Sequence, residues 1–313
     1  MNRAEMLNVT ESVLRTAGFQ VSEKCSARPS CFCLAARKGA HLALLKVQPD
    51  LGNISPRDAW ELKTISSCFL GTSLFVGDKT REKPLEDDTV YTRYNIYALT
   101  PKTLEDIVSR GMLPLIGAGP GGCFVQLDGD AVRQRRQKLG LSVGKLAEQL
   151  GISRRTLYGY ERGMAKASVS AAYNLEWILG IPVVKPIDIF QAVPSDTGFF
   201  AAAKRMFVKN RFLRTVLKRL VQCHFNVAPT MRAPFDFIAQ SPESQLNIIG
   251  GVTCREERDL DQRTNEILSI SDIVKAQPMF VTDGKLVPNN DIPLIRSEEL
   301  NKIKQPEDLI ARL

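Results

Sequence analysis

The sequence contains no apolar run that approaches the roughly 20 residues needed for a helix to cross a bilayer. Its first residues, MNRAEMLNVTESVL, include two acidic side chains and lack the apolar core of a secretory signal peptide. These absences exclude a helical membrane protein and predict a soluble, cytoplasmic protein with no membrane partner.

Histidine is scarce, with only His41 and His224 in the chain, and the seven cysteines are scattered. The cysteine count is odd and the spacings fit no disulfide framework. The nearest pair, Cys31 and Cys33, would need further ligands, because zinc sites are usually built from four ligands. The sequence therefore predicts reduced thiols, no metal site and no cofactor.

Positive charge is concentrated in the middle of the chain rather than spread along it. The net charge is +8, but residues 131–219 hold 17 Lys/Arg against 5 Asp/Glu, a net of +12. Residues 255–313 hold 9 Lys/Arg against 12 Asp/Glu, a net of −3. A localised basic field is typical of a protein that binds a polyanion, although a solvated basic face is the simpler alternative.

The 313 residues divide into three predicted domains, which is compatible with this length. Residues 1–128 and 198–313 each alternate strand-like and helix-like segments and are predicted to be α/β domains. Residues 129–190 are predicted to be all-helical. A glycine-rich connector at 114–122 and a hinge at 191–198 separate the domains.

The two α/β domains look alike in sequence. Residues 61–66 and 74–78 lie over residues 266–271 and 279–283 with a constant offset of 205. So long a period predicts two similar domains rather than a stacked array. The alternative is that any two α/β units share such apolar patterns.

The middle domain is predicted to contain five helices. Ser142 and Ser153 are placed to cap helices, and Gly151 to end one, because glycine accepts the positive φ of a helix end. The five predicted helices are 130–138, 143–150, 154–162, 168–179 and a last one near 187–190.

The middle domain resembles the Cro and phage-repressor (XRE-type) helix-turn-helix family. The motif is carried by Leu146-Ala147, Gly151-Ile152-Ser153, Leu157-Tyr158 and Tyr160-Glu161-Arg162-Gly163. The resemblance implies that residues 154–162 form a recognition helix for the DNA major groove. A helix-turn-helix retained only for protein contacts is the alternative.

Individual roles follow from groove chemistry. Arg154 and Arg155 open the recognition helix, and arginine can bind guanine O6 and N7 with two hydrogen bonds. With Tyr158 they are the predicted base contacts, whereas Gly159 offers no side chain at a family contact position. The predicted phosphate contacts are Ser153, Arg133, Arg162 and Lys166. Glu161 is expected to orient Arg136, and the predicted core is Leu146, Ala147, Leu150, Ile152, Leu157 and Tyr160.

A glycine motif at residues 117–122 reads GxGxxG but does not predict a dinucleotide site. The dinucleotide fingerprint turns directly from a strand into a helix, and here Pro120 interrupts it. The basic segment 199–221 either extends the DNA-binding surface or pairs with the acidic third domain.

The α/β domains are similar to the restriction-endonuclease-like fold, whose members hold Mg²⁺ with an Asp on one strand and a Glu-x-Lys on the next. The first domain has Cys33 at the Asp position and Leu44-Leu45-Lys46 at the Glu-x-Lys positions. The third domain has Asp236, but Ile249-Gly250-Gly251 follows on the next strand. Because neither copy has the full set, we predict that the chain is not a nuclease or another enzyme.

The whole layout resembles a family of archaeal HTH-type transcriptional regulatory proteins. The resemblance implies a transcriptional regulator that binds double-stranded operator DNA sequence-specifically, with α/β domains flanking an all-α domain. We expect a homodimer, because one recognition helix reads few base pairs. An effector, if one exists, is not identified by the sequence. The alternatives are a DNA-processing enzyme and a protein-interaction scaffold.

Overall fold

The computed structural model describes residues 1–119, 121–191, 210–242, 246–253, 259–284, 292–303 and 305–312. The predicted hinge lies outside these residues from position 192 onward. Three cations of the predicted basic segment, Lys204, Arg205 and Lys209, also lie outside them.

Helices and strands alternate along the described chain. The first part contains α1 (Arg3–Thr16), β1 (Gln20–Val21), β2 (Leu34–Lys38), β3 (His41–Val47), α2 (Pro56–Cys68), β4 (Thr72–Val76), β5 (Lys79–Thr80), β6 (Lys83–Pro84), β7 (Thr89–Arg93), β8 (Ile96–Leu99) and α3 (Pro101–Arg110). The middle contains β9 (Ile116–Gly119), β10 (Gly122–Leu127), α4 (Gly129–Lys138), α5 (Val143–Leu150), α6 (Arg154–Glu161), α7 (Val169–Leu179) and β11 (Val184–Lys185). The last part contains α8 (Arg211–Gln222), β12 (Asn226–Pro229), β13 (Phe237–Gln240), β14 (Asn247–Val252), α9 (Leu260–Val274), β15 (Gln277–Thr282), β16 (Leu294–Arg296), α10 (Ser297–Leu300) and α11 (Pro306–Ile310).

These elements form two compact units. One unit comprises residues 1–48, 53–75 and 190–313, and the other comprises residues 49–52 and 76–189. The first unit thus joins the beginning and the end of the chain, whereas the second contains the helices of the middle part.

Within the first unit, strands run in the order β1-β2-β3-β4 near the N-terminus and β12-β13-β14-β15-β16 near the C-terminus. The hairpin β2–β3 is antiparallel, with Leu34 opposite Leu45. The hairpin β13–β14 is also antiparallel, with Phe237 opposite Gly250. The strand β15 then joins β14 in parallel, as the crossover through α9 requires.

The N-terminal and C-terminal parts of the first unit share their order of elements: helix, three strands, helix, strand. The predicted offset of 205 residues places α2 on α9 and the start of β4, Thr72, on the start of β15, Gln277. The hairpins also share their register. The Cys33 N–H donates to the Leu45 carbonyl, and the Asp236 N–H donates to the Gly250 carbonyl in the same way.

The two parts contact each other reciprocally inside the unit. Glu61 Oε1 on α2 accepts hydrogen bonds from the N–H groups of Met231 and Arg232, at 2.6 and 2.7 Å. Glu266 Oε1 on α9 accepts hydrogen bonds from the N–H groups of Ser26 and Ala27, both at 2.8 Å. Each residue of one contact is 205 positions from its counterpart in the other.

A second reciprocal contact involves the far ends of the same helices. Arg37 donates to the Ile273 carbonyl, and Gln240 donates to the Cys68 carbonyl. The rings of Phe32 and Phe235 meet with centroids 6.4 Å apart. This is the contact pattern of a two-fold symmetric dimer, in which residue i contacts j and j contacts i.

The second unit contains strands in the order β8-β7-β9-β10-β11, with α3 and the four helices α4 to α7. The predicted fifth helix near 187–190 is wrong. Residues 186–188 have no regular structure, residues 189 and 190 form a turn, and β11 pairs with β10 just before them. This extended path buries the apolar side chains of Val183, Ile187 and Ile189 without forming a helix.

The predicted glycine connector at 114–122 is in part a hairpin. Strand β9 pairs antiparallel with β10, with Gly119 opposite Gly122. Gly117 is needed there because a Cβ at this position would lie 2.6 Å from the Phe124 ring. Gly117 therefore permits close packing of the hairpin, whereas Gly122 supplies the positive φ of its turn, at 101°.

Candidate nucleic-acid interface

Helices α5 and α6 form the helix-turn-helix at the bounds that the sequence predicts to within one residue. The Ser142 side chain accepts from the Lys145 N–H at the start of α5, and Gly151 ends this helix at φ 66°. The Ser153 side chain accepts from the Thr156 N–H and caps α6. Gly151 and Ser153 thus specify the turn, and Ser142 fixes the start of α5.

A compact apolar core holds the two helices together. Four of the predicted core residues are buried, namely Leu146, Ala147, Leu157 and Tyr160. Leu150 and Ile152 are half-buried and pack against the same cluster. The core also includes Val125 and Leu127 of β10, so the strand helps to fix the helices.

A buried ion pair joins α4 to the end of α6. Arg136 Nε lies 2.5 Å from Glu161 Oε1, and its Nη2 lies 3.1 Å from Oε2. Arg136 also donates to the Leu141 carbonyl at 2.8 Å. Hydrogen bonding to Glu161 raises the pKa of Arg136 above its usual range. Glu161 therefore orients Arg136, as predicted, and is committed inside the domain.

The predicted base contacts lie on the first two turns of α6. Arg154 and Arg155 are exposed, and the Tyr158 side chain is 46% exposed. Residues 154 and 158 are one turn apart and share a face of the helix. Gly159 is half-buried, and a Cβ there would lie 3.2 Å from that of Ala165.

The predicted phosphate contacts come from several elements. Arg133 is exposed on α4, and Ser153 is exposed at the α6 cap. Arg162 follows α6 and stacks on the Tyr158 ring, with its guanidinium carbon 4.3 Å from the ring centroid. The Lys166 ammonium lies 3.7 Å from the centroid of the Phe124 ring. The structure thus brings Tyr158 and Arg162 together but leaves Arg133 and Lys166 on separate elements.

Sequence reasoning missed Gly144 as part of this surface. A Cβ at Gly144 would lie 2.9–3.1 Å from the atoms of the Arg154 guanidinium. The first turn of α5 therefore leaves room for the Arg154 side chain. The glycine within α5 was the only sequence signal for it, since glycine is unfavourable inside a helix.

In the N-terminal part, the positions that the sequence predicts for the metal-binding carboxylates of a nuclease hold other residue types. Cys33 is buried, and Leu44 is fully buried. Lys46 is 8% exposed and donates to the Ser30 carbonyl. Neither Cys33 nor Leu44 offers the carboxylate oxygen that Mg²⁺ prefers.

The C-terminal part retains Asp236, but its side chain is already engaged. It accepts from Arg28, Arg263 and the Val252 N–H. A Cβ at Gly250 would lie 1.9 Å from the Phe237 ring, and one at Gly251 would lie 2.4 Å from the Phe280 ring. The Phe280 ring therefore fills the space that a lysine side chain would need at position 251, and Ile249 offers no carboxylate at the Glu position.

Among the described residues, no group of three or more His, Cys, Asp or Glu side chains is arranged to hold a metal ion. None of the described helices is both long and apolar enough to span a membrane.

Comparison with known proteins defines the class of the chain. Residues 132–185 match the helix-turn-helix family model, and residues 3–114 match the model of the PD-(D/E)XK superfamily domain. The chain therefore combines a helix-turn-helix domain with a PD-(D/E)XK domain. No solved structure shows a significant match to the chain.

Curated relatives match nearly the whole length. A protein of Pyrococcus furiosus is 31% identical over 99% of this chain and 97% of its own length. One of Methanococcoides burtonii is 34% identical over 95% and 92%, and one of Methanosarcina acetivorans is 33% identical over 99% and 96%. Each is named "Putative HTH-type transcriptional regulatory protein". The chain belongs to this family of archaeal HTH-type transcriptional regulatory proteins.

Proposed function

We propose that the protein is a transcriptional regulator that binds double-stranded operator DNA sequence-specifically, with α6 in the major groove. The observation that carries the proposal is the pair of exposed arginines at the capped start of α6, on a helix fixed by a buried core. Arg154, Arg155 and Tyr158 contact bases, whereas Ser153, Arg133, Arg162 and Lys166 contact phosphates. The protein acts in the cytoplasm, where the DNA lies.

We further propose that it binds DNA as a homodimer, because paired half-sites multiply specificity. Helix α7 presents an exposed apolar row one turn apart, Val169, Tyr173 and Trp177, with Trp177 79% exposed. Exposed apolar area of this kind is typical of protein contacts. The mass of the DNA complex, measured by light scattering on the full chain, should equal two protein chains plus the duplex.

The test of DNA binding is selection of bound sequences from a random duplex library, followed by anisotropy titrations across a salt series. A regulator should enrich one sequence motif and bind it more tightly than scrambled DNA at every salt concentration. The logarithm of affinity should fall linearly with the logarithm of salt concentration. No binding even at low salt would overturn the proposal and favour a protein-interaction scaffold.

Nuclease activity is the second candidate function, because residues 3–114 match a PD-(D/E)XK model. The side chains at the predicted catalytic positions argue against it, since Cys33 and Leu44 stand where metal-binding carboxylates are expected. We expect no cleavage of supercoiled plasmid in Mg²⁺ or Mn²⁺. Turnover that is abolished by Lys46→Gln would establish the nuclease instead.

A further inference from the structure

A basic cavity of about 700 Å³ lies in the first unit, beside the positions that correspond to a nuclease site. Five cationic residues line it: Arg3, Lys24, Arg28, Lys46 and Arg232. No carboxylate residue is among the described residues that line it. This volume is in the range of small-molecule sites, which span about 300–1,000 Å³.

Three of these cations have carboxylate partners. Lys24 lies 2.9 Å from Glu11, Arg28 lies 2.8 Å from Asp236, and Arg232 lies 2.5 Å from Asp58. Two further carboxylates, Glu266 and Glu61, accept from backbone N–H groups of lining residues, so they lie behind the lining rather than in it.

The other two cations, Arg3 and Lys46, contact only neutral atoms among the described residues. Arg3 donates to the Cys33 sulfur at 3.6 Å, and Lys46 donates to the Ser30 carbonyl at 2.5 Å. Lys46 is only 8% exposed. A buried ammonium without a carboxylate is costly to a protein unless a ligand supplies the negative charge.

Lys46 lines the cavity, and Cys33 accepts a hydrogen bond from Arg3, which also lines it. A metal-dependent nuclease of the similar fold has carboxylates beside this lysine, whereas this chain has Cys33 and Leu44 at the predicted positions. The lysine is therefore present without the carboxylates that would hold a cation. The C-terminal part has Gly251 at the position of Lys46 and does not share this property.

We propose that the basic cavity binds a small phosphorylated molecule of nucleotide size. A phosphate offers several oxygens to Arg3 and Lys46 at once, and charge-assisted hydrogen bonds of this kind are strong. The low exposure of Lys46 favours a free molecule over duplex DNA, because a backbone phosphate is fixed to its strand and cannot enter deeply. Binding does not depend on the DNA-binding role proposed for α6.

The test is calorimetry of the full chain with inorganic pyrophosphate and ATP, with adenosine as the control that lacks phosphate. Pyrophosphate and ATP should bind and raise the unfolding midpoint, and adenosine should do neither. Lys46→Gln and Arg3→Gln should each weaken binding roughly tenfold to a hundredfold, the range expected for a lost hydrogen bond to a charged group. The matched control Lys83→Gln, on the exposed strand β6, should bind like the wild type.

Stability without ligand separates a binding role from a structural one. If Lys46 exists to bind an anion, Lys46→Met should raise the unfolding midpoint of the ligand-free protein, because a buried charge is removed. A lowered midpoint together with unchanged ligand affinity in Arg3→Gln would overturn the proposal. The proposal would also be overturned if neither pyrophosphate nor ATP bound. It would be overturned as well if Lys46→Gln lost as much duplex affinity as Arg155→Ala.

Discussion

At the scale of single residues, the cations of the helix-turn-helix divide into two kinds. Arg136 is buried, paired with Glu161 and bonded to a carbonyl, so it belongs to the fold. Arg154 and Arg155 are exposed at the start of α6, where side chains can reach base edges. Arginine therefore stabilises the fold at position 136 and is a candidate base contact at positions 154 and 155.

Replacing Arg154 or Arg155 by alanine should lower affinity for the selected site and relax base preference there. A bidentate contact to guanine contributes about 1–3 kcal/mol of discrimination, so each change should reduce discrimination roughly fivefold to a hundredfold. Repeating the sequence selection with each variant measures this directly.

Lys166→Ala is the matched control for the reader variants, because Lys166 is a proposed phosphate contact. It should weaken all sequences alike and reduce the salt slope by about one. If the arginine variants also lose affinity uniformly, with no change in base preference, then α6 is not the element that reads the sequence.

Removing the Glu161 side chain should lower the stability of the helical region more than removing an exposed acidic side chain does. Glu161→Ala leaves Arg136 buried without its partner, which costs about 3–5 kcal/mol in comparable pairs. Glu148, whose side chain is 71% exposed in its pair with Lys145, should cost at most about 1 kcal/mol when changed to alanine. Thermal unfolding followed by circular dichroism should separate the two variants, and equal losses would contradict the structural role of Arg136.

At the scale of elements, local signals explain which helices could be predicted. Helix α5 is predicted at its observed bounds because Ser142 and Gly151 mark both ends by their own conformational preferences. The last predicted helix fails because Val184 and Lys185 pair with the distant strand β10, and the Ile187 N–H donates to the Pro114 carbonyl. Such pairing has no signature within the segment itself. Residues 116–119 are predicted to be a connector for the same reason, because pairing with β7 and β10 makes them a strand.

A substitution at Gly250 tests whether the Phe237 ring is fixed against strand β14 in the C-terminal part. Gly250→Ala should destabilise the first unit by about 1–3 kcal/mol or more, because the new methyl would clash with the Phe237 ring. Gly121→Ala is the matched control, since nothing lies within 4 Å of a Cβ there. The unfolding midpoints of both variants should be compared with that of the wild type; a Gly250→Ala protein of unchanged stability would show that the ring can move aside.

At the scale of the whole molecule, sequence similarity predicted the pairing of elements but not the contacts between them. The offset of 205 aligned Glu61 with Glu266, yet gave no sign that each carboxylate binds the other part of the chain. The basic cavity was equally hidden, because its cations come from positions 3, 24, 28, 46 and 232. Of these five cations, only Lys46 carries a sequence signal, because it stands at the lysine position of the predicted Glu-x-Lys pattern.

The reciprocal glutamates give a prediction with its own internal control. Glu61→Ala should destabilise the first unit by about 2–4 kcal/mol, because two backbone N–H groups lose their acceptor. Amide hydrogen exchange should quicken at residues 231 and 232. Glu266→Ala should instead quicken exchange at residues 26 and 27. If either variant affected both pairs equally, the two contacts would not be separate interactions.

The reciprocal arrangement has an evolutionary consequence. In an ordinary homodimer, one gene encodes both partners, so every substitution appears twice and the two halves of the interface remain identical. Here both partners lie in one polypeptide and can change independently. The two parts differ in this way at matching positions, with Lys46 in one and Gly251 in the other. The two parts keep the reciprocal contacts of a symmetric pair, yet each part can accept substitutions that the other does not share.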